Sequence, residues 1–172
     1  MTITVNLSNI QAARDEIKEC ESWIIDKARQ IAGILAREGR TIAEQHTGDY
    51  TGYIRFDIEE QETANGSIAI LTMSDNQKII RRWWYHNEVR QAIVSPSLMA
   101  EYGSGQFAVD GWRGTFPGQT HAWQDSWYWT SYPDNKFHRS SGEKPTRPMH
   151  TAYVRLQDMS FVSSVIERVF NG

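Results

Sequence analysis

The chain has 172 residues, 18 basic against 21 acidic side chains and a net charge of −3, with 40% hydrophobic and 23% charged residues. This predicts one soluble folded domain with room for a core, and the acidic excess argues against nucleic acid as the main ligand, which calls for a basic stripe. A single cysteine, Cys20, excludes an intrachain disulfide and a zinc–cysteine cluster.

From Ser8 to about His46, the residues Ile10, Ala13, Ile17, Cys20, Ile24, Ala28, Ile31 and Leu35 recur at spacings of three and four. That pattern predicts one face of a long amphipathic helix, with Cys20 as a small buried hydrophobe on it. Arg14, Asp15, Lys18, Glu19, Glu21, Asp26 and Arg29 form the solvated side. Gly39 is expected to bend or break the last turns, and Gly48 to stop the helix. Nothing from Met1 to Asn6 resembles an export signal, and no apolar run reaches membrane-spanning length. The expectation is therefore synthesis in a reducing cytoplasm, with no membrane partner.

Residues 52–94 read as β-rich. Tyr53 to Glu59 alternates with period two, Asn65-Gly66 is a hairpin signal, and Ser67 to Met73 is the return strand. Further strands are expected around Lys78 to Tyr85 and Val89 to Val94. Ser95-Pro96-Ser97 then opens a short helical turn, Leu98 to Tyr102, closed by Gly103.

Periodicity fades between Gly103 and Lys144, where glycines and prolines mark turns. The segment reads as an extended aromatic loop, and a connection of that length usually has a function. Four of the seven tryptophans crowd into it as Trp112, Trp123, Trp127 and Trp129, and Trp127-Tyr128-Trp129 reads as one short strand. Pro148 suits the first position of a C-terminal helix over 148–170, broken or in two pieces. The fold class is thus α+β, a long N-terminal and a C-terminal helix packed on a small antiparallel sheet, in one domain over 1–172.

Catalytic and cofactor signatures are missing from the sequence. The five histidines, His46, His86, His121, His138 and His150, include no pair at helical ligand spacing, so no metal site is expected. Gly103 and Gly105 lack the lysine and hydroxyl of a phosphate loop, and there is no nucleophile elbow. The expectation is a protein without a cofactor and without enzymatic activity. Three readings fit the tryptophans: a small second core, a protein–protein interface, or a stacking platform for sugars.

Ala100-Glu101-Tyr102-Gly103-Ser104-Gly105 resembles an aromatic-Gly-small-Gly element of tail-component or minor-capsid proteins of long-tailed bacteriophages. In that family a Gly/Pro loop, a Trp/Tyr strand and a Gly-initiated motif opening a C-terminal helix follow. Here the counterparts are Gly118, Trp127-Tyr128-Trp129-Thr130 and Gly142-Glu143-Lys144-Pro145-Thr146-Arg147-Pro148-Met149. The resemblance implies a structural virion protein that completes the tail or joins it to the head. It would form a ring of six copies, or twelve on the portal side, in the virion neck after assembly in the host cytoplasm. Its partners would be neighbouring neck, tail-tube or head-completion proteins, and DNA would pass through without sequence-specific binding. Trp112, Trp127 and Trp129, with Trp123 beside them, would anchor the interface. Arg147 would tie the loop to the last helix by pairing with a carboxylate or backbone carbonyls, with Pro148 and Met149 setting the helix start. The alternative from another class is a carbohydrate-binding module using the same tryptophans.

Overall fold

Helix α1 runs from Leu7 to Gln45 in the computed structural model, which describes residues 7–63, 66–107 and 127–172. Its stripe is apolar throughout, as the periodicity predicts, but only part of it is covered. Ala36 and Ala43 are buried, whereas Ile10, Ile17 and Ile24 are exposed and Cys20 is exposed with them. The expectation of a buried Cys20 is corrected. Periodicity identifies an apolar face but says nothing about what packs on it.

The β residues form two sheets rather than one. Strands β1 (Ile54–Thr63) and β2 (Gly66–Asp75) pair antiparallel from Ile54↔Asp75 to Thr63↔Gly66, and Asn65 lies outside the described residues. After Asp75 the amides of Asn76 and Gln77 turn back to the Tyr53 carbonyl at 2.8 and 3.3 Å, which ends that ladder. The second sheet has the order β4-β3-β5-β6, built from β3 (Ile79–Tyr85), β4 (Glu88–Val94), β5 (Trp127–Ser131) and β6 (Phe137–Ser140). All its neighbours are antiparallel. His86 and Asn87, both at positive φ, turn β3 into β4. Part of the expected loop is therefore strand, and residues 108–126 of it lie outside the described residues.

Helix α2 (Pro96–Tyr102) follows β4, and α3 (Pro148–Leu156) and α4 (Met159–Asn171) complete the chain. Asp158 separates the last two, accepting from the amides of Ser160 and Phe161 as the α4 N-cap. The core joins Ala43, Tyr50, Ile54, Phe56, Met99, Ala100 and Ala152. Gly39 does not break α1. A Cβ there would lie 3.0 Å from Leu156 Cδ1 and 3.5 Å from Leu71 Cδ2, so its bareness lets α3 and β2 approach the helix. Further up, Trp23 meets Phe170 edge-on at 5.4 Å, and Lys27 Nζ donates to the Val169 carbonyl at 2.6 Å near the end of α4. A cation there complements the helix dipole.

Asp75 joins the hairpin to α2. Its buried carboxylate accepts from the Ser97 amide at 2.8 Å, the Ser95 hydroxyl at 2.7 Å and the Lys78 ammonium. Burial alone would push its pKa up, but the bonds from Lys78, Ser97 and Ser95 outweigh it and bring the pKa down to about 2.

Two outcomes follow from this packing. Gly39→Ile, which overfills the α1–α3 contact, should lower unfolding stability by about 1–3 kcal/mol in urea titrations. Because the Asp75 pKa is lowered on folding, its stabilisation is present above the ordinary carboxylate range and lost as pH falls towards about 2. Urea midpoints between pH 5 and 2 should therefore fall less steeply in Asp75→Asn than in the natural chain.

Candidate functional site

Two stretches far apart in sequence meet as one unit. The Thr146 and Arg147 amides both donate to the Ala100 carbonyl, at 2.8 and 2.9 Å. The Ser104 amide donates to the Glu143 carbonyl at 2.9 Å, the Glu143 amide to Ser104 Oγ at 3.1 Å, and the Gln106 amide to the Ser141 carbonyl at 3.1 Å. Gly103 makes this approach possible. It sits at φ 68°, and a Cβ there would stand 2.6 Å from the Glu143 carbonyl oxygen and 2.7 Å from Pro145 Cδ. No other residue fits.

Glu101 completes the clasp. Only 8% exposed, its carboxylate accepts from the Met149 amide at 2.8 Å and the His150 amide at 3.0 Å. It thereby serves as the N-cap of α3, which the residue at the cap position, Arg147, does not provide by its side chain. Arg147 occupies the left-handed region, at φ 56° and ψ 51°. Among the described residues its guanidinium pairs with neither a carboxylate nor a carbonyl, and its Nε is buried without a partner. The tie expected of its side chain is made by its main-chain N–H instead. Pro148 is buried and Met149 packs against the core, so both hold α3 in place.

Glu143 extends the clasp to the sheet. Its carboxylate accepts from the Tyr50 hydroxyl on one oxygen and from Arg81 on the other. Burial, reinforced by the bond to Glu143, pushes the Tyr50 pKa up.

Among the described residues nothing covers one broad face of the four-stranded sheet. Strand alternation and the register Trp84↔Thr130 place Ile80, Arg82 and Trp84 of β3 on one side with Val89, Gln91 and Ile93 of β4. Tyr128 and Thr130 of β5, and Phe137 and Arg139 of β6, share that side. Ile93 is 65% and Phe137 72% exposed, and Ile80, Val89 and Tyr128 are exposed too. Tyr128 and Phe137 stack at 5.7 Å and 17°. A cleft of about 590 Å³ opens at one end, lined by Trp84, His86, Asn87, Thr130 and Asn135. The opposite side carries Trp129, stacked on His138 at 4.4 Å. Of the other expected anchors, Trp127 begins β5, and Trp112 and Trp123 lie outside the described residues.

Sequence reasoning missed this face, because Ile79 to Tyr85 is apolar or basic at nearly every position and shows no alternation. It missed Glu101 because capping motifs are sought within one turn of the helix they cap. Among the described residues no group of three His, Cys, Asp or Glu side chains is placed to hold a metal, and no helix is long and apolar enough to cross a membrane.

Replacing Glu101 by Ala strips two amides of their acceptor and should lower unfolding stability by about 1–3 kcal/mol. Glu101→Gln, which keeps one acceptor oxygen, should recover part of the loss in the same denaturation assay. No protein-family model, curated protein or solved structure matches this chain.

Proposed function

We propose that this chain is a non-enzymatic structural subunit that closes into a homo-oligomeric ring. In the setting its motif order implies, that ring completes the tail of a long-tailed phage or joins it to the head. One observation carries the reading: two separate apolar surfaces, the first half of α1 and the open sheet face, stand uncovered on one chain. Neighbouring apolar side chains left uncovered together mark an interaction surface. Two different patches favour a head-to-tail contact, which repeats from copy to copy and closes when the rotation permits. The clasp supports the reading by fixing both ends of the aromatic segment to the core, so that the segment starts from a rigid base. In such a ring DNA passes through without being read, and a net charge of −3 is compatible with weak attraction to it.

Light scattering of the pure protein, alone and with isolated tails, should find a ring of about six copies, or about twelve on the portal side. A chain that stays monomeric in both settings would sink the reading. The stacked, exposed Tyr128–Phe137 pair favours a second reading, a sugar platform. Glycan binding lost in Tyr128→Ala, with no assembly at any concentration, would shift the assignment to it.

A further inference from the structure

We infer that the exposed first half of α1 seats on the open sheet face of a second copy of this chain, the helix of each subunit lying on the sheet of the next. The inference rests on the ring reading and adds which two surfaces meet.

Shape is the first argument. Ile10, Ile17 and Ile24 recur at intervals of seven, with Ala13 and Cys20 between them. Large residues alternating with small ones make a narrow ridge that lets a helix approach a flat surface closely. From Ile10 to Ile24 the ridge is about 21 Å long. The outer strands of the four-stranded sheet are about 14 Å apart, so the ridge spans it. Within its own chain α1 packs on β1, β2, α3 and α4, and this half of the stripe is left uncovered.

Charge is the second argument, and it is compatible with this partner. Beside the ridge the helix carries Glu16 on one flank and Glu21 with Arg14 on the other, whereas Asp15 and Glu19 lie on its far side. The sheet face carries Arg82 and Arg139 and no acidic residue. Neither arginine has a carboxylate partner among the described residues, Arg139 lying only over the Tyr128 ring at 5.7 Å.

The contact predicts a complementation. Ile17→Asp disables the helix and Ile93→Asp the sheet, and both sites are so exposed, 59% and 65%, that the fold is spared. At concentrations where the natural chain forms rings, each variant alone should be monomeric by light scattering. Their equimolar mixture should give a two-chain species, since one intact helix then meets one intact sheet. In a second measurement, Gln91→Cys in the assembled full chain should oxidise with the natural Cys20 into a ladder of covalent oligomers. Either variant alone still forming the natural ring overturns this contact and leaves the ring standing. So do covalent products that stop at two chains, from Cys20 joined to Cys20, or the absence of both the two-chain species and the ladder. A natural chain that is monomeric under every condition removes the ring and the contact together.

Discussion

One buried carboxylate, that of Glu101, receives the first amides of a helix that begins 47 residues later in the chain. The rest of the molecule depends on that capture. Glu101 belongs to α2, and α2 is itself held at its start by Asp75 at the end of β2. Helix α3, once capped, lies against α1 where Gly39 leaves room for Leu156. The first sheet, the short helix and the two main helices are thus connected through two acid groups that accept backbone amides. In a buried setting such charge-assisted bonds are worth more than their number suggests, because the amides have no water to turn to.

How much of this could be read from the sequence depended on how local the signal was. The bounds of α1, the first hairpin and the split C-terminal helix follow from periodicity and turn residues within a few positions, whereas β3 and β4 could be placed only as short strands, without their pairing. The four-residue strand Phe137–Ser140 is too short to show a period. Glu101 and Asp75 gave no local signal of their roles, because their partners are supplied by the fold. Cys20 and Ile17 looked like core residues because a stripe of apolar side chains has the same pattern whether its cover comes from the same chain or from elsewhere.

The aromatic composition finds a structural use that composition alone did not single out. Trp129 on His138 and Tyr128 on Phe137 are cross-strand pairs on opposite sides of the same two strands. Such pairs stabilise a short ladder that has few backbone bonds of its own. The Ala100–Gly105 and Gly142–Met149 stretches, separated by the whole aromatic segment, form one hydrogen-bonded unit. Their residues answer to each other: Gly103 to the Glu143 carbonyl, Ala100 to Thr146 and Arg147, Glu101 to Met149 and His150.

The way α1 is anchored has a mechanical consequence. Its grip on the body begins near Trp23 and Lys27, and Ile10 lies about 20 Å beyond that point. The free half is a lever. A tilt of about 10° at the grip swings Ile10 through about 3 Å at that length. Small repacking of Trp23 against Phe170 is therefore magnified at the tip, while the clasp and both sheets stay where they are.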